Sequence, residues 1–335
     1  MSIRTRVFFA LLTLLACLRA GGMAWNQTLN GPGPGQTPAD VIIPEGSATQ
    51  TAERLRQAGV IASPLTFRIV AHLTRAQGVL HAGEFLIPAH ASLGQVLDIL
   101  RHGSPVQHQV TLPEGLTGAQ IAAIINALPA ATGTIAAPAD GTVLPQTYDY
   151  LYGTPRAVIL ARAETAMTQT LRKAWQNRAA GLPFQSAQQA LTLAAIVQEE
   201  TPLPAELPKV AAVYENRLQL GMKLQADPTV IFAATQGHQS GGASITRSDL
   251  ANPSPYNTYM HPGLPPGPIC APGQAAIDAV LHPAASDALY FVATGDGGHV
   301  FSRNFATQLR NIAAYRAALK APKSPAPLTP SAQRR

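Results

Sequence analysis

The segment 186–204 constrains the fold of this chain most, because both ends of one helix can be read from it. Ser186 and Gln189 have the spacing of a capping box, which predicts that a helix begins directly after the serine. Pro202 predicts that the helix ends at Glu200, because proline cannot continue a helix. The sequence therefore predicts a helix of about four turns that ends on a carboxylate.

Three residues of this helix, Leu193, Val197 and Glu200, are spaced so that they share one face. A glutamate at the end of an apolar stripe has two interpretations. It can be a structural residue whose carboxylate reaches solvent or a basic neighbour. It can also be a partly desolvated carboxyl group with a raised pKa, which is the state that a general acid needs. Glu199 lies about 100° from Glu200 around the helix axis and is predicted to be solvated.

The composition favours a globular chain of several units. There are 335 residues, 46% of them apolar, which predicts two or three folded units. The 29 Pro and 27 Gly predict many turns, but they show no collagen-like period. The net charge of +6 arises at the two ends, where residues 1–39 and 321–335 each carry three basic residues and no acid. The rest is neutral, so no nucleic-acid partner is predicted.

Several chemistries are not supported by any motif. The chain has two cysteines, Cys17 and Cys270, which excludes a disulfide framework and a cysteine-based zinc site. No serine nucleophile elbow, paired-histidine zinc motif, dinucleotide fingerprint or Walker motif occurs. We therefore predict neither a cofactor nor a bound metal.

The N-terminus carries an export signal. Arg4 and Arg6 precede an apolar stretch that continues over 7–25, about the length needed to span a bilayer. A cleaved signal peptide and an uncleaved anchor both fit this pattern. A lipoprotein signal ending at Cys17 is a third interpretation. All three predict that residues 26–335 are exported.

Composition and patterning then divide the rest of the chain. Residues 26–40 are rich in Gly and Pro and predict an extended, flexible linker. Within 41–125, a strand followed by Pro-Glu-Gly and a helix occurs twice, at 44–46 and again at 113–115. Small strand-plus-helix units of this size are typical of binding modules, spacers or packing repeats. The Pro-rich segment 321–335 predicts a disordered tail.

Downstream of the predicted helix, polar loops alternate with short elements. A second helix is predicted over 206–220, followed by a polar turn at 225–229. The loop 254–259 contains two tyrosines and an asparagine, and 263–269 is rigid and proline-rich. A hairpin is predicted over 289–302. Aromatic faces and amides in rigid loops suit sugar binding, although turn formation explains most of these residues equally well.

Six blocks in this order resemble the YceG-like family of endolytic murein transglycosylases. They are Ile196–Thr201, Val213–Leu218, Leu224–Val230, Tyr256–Tyr259, Gly263–Ile269, and Tyr290–Val292 with Gly297–His299. Ahead of them, Leu144–Tyr148 resembles the family's Phe-Pro-Asp-Thr-Tyr. The resemblance extends over nearly all of the predicted exported part, because 41–125 is similar to the family's LysM-like module.

The resemblance implies an α+β protein of the inner membrane. It implies a cytoplasmic start at 1–6, a single transmembrane helix at 7–25 and a flexible linker at 26–40. A periplasmic LysM-like module at 41–125, a mixed α+β catalytic domain at 126–320 and a tail at 321–335 would follow. The family cleaves nascent glycan strands of peptidoglycan between N-acetylmuramic acid and N-acetylglucosamine. It forms 1,6-anhydromuramic ends and so terminates elongation. Peptidoglycan synthases are implied as partners.

The resemblance places the catalytic glutamate of the family on Glu200. Candidates for holding the sugar or orienting Glu200 are Gln225, Asp227, Tyr256, Asn257 and Tyr259. The chain departs from the family pattern at Gln198, where a glutamate is usual, and at Gln146, where an aspartate is usual. Two other functions remain open. One is a peptidoglycan hydrolase in which Asp227 activates water, and the other is a non-catalytic cell-wall-binding scaffold.

Overall fold

A computed structural model describes residues 3–295 and 297–320, which form two compact units. The first unit comprises the described residues up to Val110, with Pro129–Thr132 and Asp149–Pro155. The second comprises Thr111–Leu128, Gly133–Tyr148 and the described residues from Arg156 onward. The predicted tail at 321–335 lies outside the described residues, and the predicted domain boundaries stay a prediction.

The first unit contains small helices packed around a strand pair. Its elements are α1 (Ile3–Asn30), β1 (Ala39–Ile43), α2 (Ala48–Gln57), α3 (Pro64–Leu73), a 3₁₀ turn (Arg75–Gln77), β2 (Gly83–Ile87), α4 (Leu93–His102) and most of β3 (Gln107–Thr111). Strands β1 and β2 pair antiparallel, with Ala39 opposite Ile87. Alternate residues of both strands, including Val41 and Phe85, point into a core completed by Leu55 and Phe67.

Helix α1 begins before the predicted transmembrane segment and ends after it, running on to Asn30. No helix among residues 3–295 and 297–320 combines the length and apolarity of a membrane span. The transmembrane helix predicted at 7–25 is therefore not confirmed.

The segment predicted as a flexible linker is held in place within the first unit. The Gly33 N–H donates to the carbonyl oxygen of His90 at 3.1 Å, and the His90 N–H donates to that of Gly35 at 2.6 Å. A Cβ atom at Gly33 would lie 2.1 Å from the carbonyl oxygen of Ala91. Glycine therefore serves close backbone packing here. The Gly/Pro composition is the same for a mobile linker and for a tightly packed one, so it could not distinguish them.

The second unit is built mainly of helices, with one strand pair of its own. Its elements are α5 (Gly118–Asn126), β4 (Thr147–Leu151, which continues into the first unit), α6 (Arg156–Gln176), α7 (Ala187–Glu200), α8 (Leu207–Gln219), α9 (Asp227–Ala234), α10 (Arg247–Leu250), α11 (Gln274–Leu281), β5 (Tyr290–Ala293), β6 (His299–Ser302) and α12 (Phe305–Lys320). Strand β3 pairs with β4, and β5 with β6 in the predicted hairpin. The predicted mixed α+β class is confirmed.

Helix α7 lies at the centre of the second unit, and its ends are those predicted. The Ser186 hydroxyl accepts the Gln189 N–H at 3.3 Å, but the Gln189 side chain accepts the N–H of Gln185 and not that of Ser186. The capping box is therefore only half formed. Every residue from Ala190 to Val197 is buried, so the helix has no solvated face there. Helices α6, α8, α9 and α11 pack around it and cover all of its sides.

The neighbouring helix α8 carries a buried acid, Glu215, with no described partner for one of its carboxylate oxygens. Glu215 on α8 is 3% exposed, and its Oε1 atom has no hydrogen-bond partner. Burial raises the pKa of this carboxyl group to about 8. The folded protein therefore binds this proton more tightly than the unfolded chain does. The stability contributed by the protonated group is complete below the unfolded pKa of 4.5 and is lost as the pH rises towards about 8.

We predict that Glu215→Gln reduces the loss of stability between pH 5 and pH 8.5. The amide removes the buried charge, so the variant should gain on the order of a few kcal/mol over the wild type at the upper pH and little at the lower one. Denaturant unfolding at both pH values measures this. The matched control is Asp287→Asn, which changes an exposed carboxylate of the same unit. An equal effect of both substitutions would contradict the prediction.

Candidate active site

Glu200, the last residue of α7, contacts a tyrosine of the next helix. The Tyr214 hydroxyl on α8 donates a hydrogen bond of 2.5 Å to Glu200 Oε1. The Tyr214 side chain is only 2% exposed and packs edge-on against Phe291, so its hydroxyl has a fixed position. The carboxyl group is thus oriented by one donor at the end of a buried helix.

Burial raises the pKa of Glu200 to about 7, and it is the largest influence. The negative charges of Asp227 and Glu199 raise the pKa further, whereas the Tyr214 hydrogen bond and the Arg217 guanidinium lower it. A carboxyl group with this pKa is about half protonated at neutral pH. It can therefore give up a proton and take one back, as a general acid–base group must.

Arg217 lies one turn beyond Tyr214 on α8 and is held by backbone acceptors. Its Nε atom donates to the carbonyl oxygen of Leu289 at 2.7 Å and its guanidinium also donates to that of Leu224 at 2.5 Å. The Tyr290 ring lies 5.2 Å from the guanidinium carbon. Arg217 thus fixes the chain on both sides of the site while its charge moderates the pKa of Glu200.

Asp227 supplies a second carboxylate, and Tyr259 contacts it. The Tyr259 hydroxyl donates to Asp227 Oδ1 at 2.6 Å. Asp227 is exposed and is the first residue of α9, where a negative charge is stabilised by the helix dipole. The predicted polar turn at 225–229 is therefore shorter than expected, because α9 begins within it. Burial, together with the neighbouring carboxylates, raises the pKa of Tyr259, which keeps its hydroxyl protonated as a donor.

Two buried threonines connect the turn before α9 to the tyrosine loop. The hydroxyls of Thr229 and Thr258 lie 2.9 Å apart, and Thr258 Oγ1 also accepts the Ala226 N–H at 2.9 Å. Both threonines are at most 1% exposed. Gln225 precedes this network in a left-handed backbone conformation, with φ of 51°, and its side chain is exposed. This network fixes Asp227 and Tyr259 relative to each other.

Asn257, a predicted sugar-binding residue, is fully buried. Its amide nitrogen donates to the carbonyl oxygens of Asp249, Leu250 and Asn252, and its Oδ1 atom accepts the Tyr259 N–H at 3.0 Å. The side chain is thus used within the loop. Asn257 thus positions the backbone of Tyr259, and its predicted role in holding the sugar or orienting Glu200 stays a prediction.

Tyr256 lies apart from the other candidates. Its ring packs against Phe232 near the end of α9, with the ring centroids 4.8 Å apart. It lines a cavity of about 640 Å³. The structure therefore brings Asp227 and Tyr259 close to Glu200, places Gln225 beside them, and puts Tyr256 further along α9.

The prediction that Glu199 is solvated is wrong. The side chain is partly buried in a narrow space between two glycines. A Cβ atom would lie 2.3 Å from its Oε1 atom at Gly115 and 2.1 Å from its Oε2 atom at Gly241. Burial raises its pKa, against hydrogen bonds with Cys270 and Ser240 that lower it. The side of α7 that carries Glu199, which the apolar stripe did not include, is therefore partly covered by the backbone around Gly115 and Gly241.

Gln198 still performs an acceptor role where the family usually has glutamate. Its Oε1 atom accepts the Gly273 N–H at 2.9 Å, which a carboxylate could also do. Gln146, the other departure, is exposed, and its backbone oxygen accepts the Leu112 N–H. Among residues 3–295 and 297–320, no group of three His, Cys, Asp or Glu side chains is placed to hold a metal ion.

Four residues of the site were missed as functional candidates in the sequence: Tyr214, Arg217, Thr229 and Thr258. Tyr214 and Arg217 are three residues apart, so helical periodicity puts them on one side of α8. Nothing in that periodicity indicates which helix they contact. For the buried pair Thr229 and Thr258, the only sequence signal is that each of the two polar loops, 225–229 and 254–259, contains a threonine.

A carboxyl group with a near-neutral pKa, oriented by a tyrosine and lying near a second carboxylate, defines an acid–base site. Comparison with known protein families shows to which family the chain belongs. The model of the YceG-like family matches residues 41–314, so the chain belongs to that family.

Curated relatives extend the comparison. The chain is 29% identical over 301 residues to a protein of Bacillus subtilis (strain 168) named endolytic murein transglycosylase, covering 80% of this chain and 82% of the relative. A protein of the same name from Streptococcus pneumoniae serotype 2 is 26% identical over 346 residues, and the match spans only 62% of its length. The 2.6 Å crystal structure of a yceG-like protein from Listeria monocytogenes superimposes with a TM-score of 0.52 at 25% identity, covering 82% of this chain and 98% of that one.

We predict opposite pH shifts for two substitutions around Glu200. Tyr214→Phe removes a hydrogen bond that lowers the pKa of Glu200, so the loss of activity at alkaline pH should move to higher pH. Asp227→Asn removes a charge that raises this pKa, so the loss of activity at alkaline pH should move to lower pH. Measurement of kcat/KM against pH on glycan strands tests both. Asp287→Asn should leave the profile in place, and a shift of both variants in one direction would contradict the assignment.

Proposed function

We propose that this protein is an endolytic peptidoglycan lytic transglycosylase with Glu200 as its catalytic acid and base. The observation that carries the proposal is the Glu200 carboxyl group, whose pKa is raised to about 7. Support comes from the family of the chain and from the activity in the names of its relatives. The substrate is the glycan strand of peptidoglycan, cut between N-acetylmuramic acid and N-acetylglucosamine.

The reaction needs one proton to move twice. Protonated Glu200 donates to the glycosidic oxygen as the bond to the muramyl C1 atom breaks. The C6 hydroxyl of the same muramyl residue then attacks C1 and closes a 1,6-anhydro ring. Ionised Glu200 takes the proton of that hydroxyl and is ready for the next cycle. Water is not consumed, so this chemistry does not require the second carboxylate of a hydrolase.

The surrounding residues have supporting roles in this proposal. Tyr214 holds the carboxyl group in one orientation, and Asp227 keeps its pKa high through like charge. Tyr259 and Gln225 border the same site and are the candidates for contact with the sugar. The Asp227 carboxylate is already a hydrogen-bond acceptor for Tyr259, which favours a positioning role over water activation.

The N-terminal part would bring the enzyme to nascent strands. Residues 7–25 of α1 are proposed to anchor the chain in the inner membrane, with the catalytic part in the periplasm. The β1–α2–α3–β2 order of the first unit supports a LysM-like role in holding glycan. Peptidoglycan synthases are proposed partners, because termination of a strand requires access to strands under synthesis.

Glu200→Gln should reduce glycan cleavage by about 10²–10⁴-fold, because the amide cannot transfer the proton. The fold should survive, since the Tyr214 hydroxyl can still donate to the amide oxygen. Mass spectrometry of the products from purified strands measures both rate and chemistry, with Asp287→Asn as the matched control. Wild-type products should carry anhydro ends, lighter than hydrolysis products by one water per cut. Reducing muramic ends would favour the two-carboxylate hydrolase, and no cleavage would favour the wall-binding scaffold.

We further predict that residues 1–25 remain on the mature protein. The basic start and the apolar stretch support an uncleaved anchor. Intact-mass analysis of protein extracted from membranes decides this. A chain beginning near Gly21 or Met23 would refute the anchor, and a chain beginning at a lipidated Cys17 would indicate a lipoprotein.

A further inference from the structure

The cavity beside Tyr256 is distinct from the site around Glu200, and α9 connects the two. Asp227, near Glu200, is the first residue of α9, and Phe232, which lines the cavity, follows five residues later. At 1.5 Å per residue, these positions are about 7–8 Å apart along the helix axis. The cavity of about 640 Å³ therefore adjoins the proposed point of cleavage without containing its carboxyl group.

The charged side chains that line the cavity are of one sign, negative. Asp140 is the one acidic side chain among the described residues that line it, and neither Lys nor Arg is among them. One of its oxygens accepts the Gly118 N–H at 2.7 Å, and no ion pair among the described residues involves it. Burial raises the pKa of Asp140. Burial also raises the pKa of Tyr256, and the charge of Asp140 adds to that rise. An uncompensated carboxylate in a partly buried cavity favours a cationic ligand and disfavours an anionic one.

The remaining walls suit a ligand that is partly apolar. Phe232 and Tyr256 form an aromatic surface, and Gly267 backs the Tyr256 hydroxyl, since a Cβ atom there would lie 3.4 Å from it. The exposed side chains of Gln236 and His238 stand at the cavity as hydrogen-bonding groups. An alkyl chain that ends in an ammonium group would match both the aromatic surface and Asp140.

Each muramic acid of a peptidoglycan strand carries a peptide stem, and that stem contains a diamino acid. We infer that this cavity binds the peptide stem next to the cleaved bond, with the ammonium group of the diamino acid against Asp140 and its alkyl chain on Phe232 and Tyr256. The inference rests on the proposed function for its substrate. It makes Asp140 the determinant of specificity for strands that carry stems with a free amine, and the rings of Phe232 and Tyr256 the surface for the alkyl chain.

The test is calorimetric binding of a synthetic stem tripeptide of alanine, isoglutamate and lysine, with its N-terminus acetylated. A second peptide also has the lysine side chain acetylated, which removes the cation. At pH 7.5, the wild type should bind the amine peptide about 10- to 100-fold more tightly than the acetylated one. Asp140→Asn should bind the amine peptide as weakly as the wild type binds the acetylated one. Acetylation should then have no further effect on the variant.

The design separates folding and cleavage from recognition. An asparagine can still accept the Gly118 N–H, so Asp140→Asn keeps that loop contact, and Asp287→Asn is the matched surface control. Tyr256→Phe keeps the packing on Phe232 and should retain the preference for the amine. Equal affinity of the wild type for both peptides, or an unchanged preference in Asp140→Asn, would overturn the inference.

Peptide binding does not depend on strand cleavage, so the two proposals can fail separately. Amine-selective binding without cleavage of strands would remove the transglycosylase proposal and leave the cavity assignment. Cleavage to anhydro ends without amine-selective binding would remove only the cavity assignment. For cleavage, the ratio of kcat/KM on stem-bearing strands to that on strands stripped of stems should fall towards one in Asp140→Asn.

Discussion

The site depends on one physical constraint, the burial of a carboxyl group at the end of a helix that has no solvated face over its central residues. Because α7 is covered by helices on all sides, Glu200 leaves the core with few groups able to solvate its charge. The Tyr214 hydroxyl is the one direct donor described for it. Burial raises the pKa, and the single hydrogen bond limits that rise. The balance gives a group that is useful for proton transfer at neutral pH.

The rest of the site keeps that balance fixed. Buried threonines tie the start of α9 to the tyrosine loop, so the negative charge of Asp227 acts on Glu200 from a constant position. Asn257, fully buried, fixes the backbone of Tyr259, which in turn donates to Asp227. These contacts connect the loop backbone to Asp227, whose charge acts on the proposed catalytic carboxyl group of Glu200. We therefore expect substitutions among these residues to change the pKa of Glu200 without touching a bound ligand.

Burial raises the pKa of three acids of this unit, Glu199, Glu200 and Glu215, but their surroundings differ. Glu215 is 3% exposed, and burial raises its pKa to about 8, further than the pKa of Glu200. It has no described donor for its Oε1 atom, and no charged partner contributes to its pKa. Glu199 is confined between glycine backbones. Glu200 differs from Glu215 because the Tyr214 hydroxyl donates to it, and from both acids because the charge of Asp227 raises its pKa.

The sequence by itself determined the local elements of this protein. Capping residues and prolines set the ends of α7, and turn residues located the final hairpin, because such signals act within a few residues. The order of motifs also pointed to Glu200 as the acid. The tertiary structure decided which faces were covered. It partly buried Glu199, used the Asn257 side chain within its own loop and separated Tyr256 from Tyr259. It also ordered the glycine-rich segment around Gly33. These outcomes depend on contacts between residues far apart in the chain, which local propensity and periodicity do not encode.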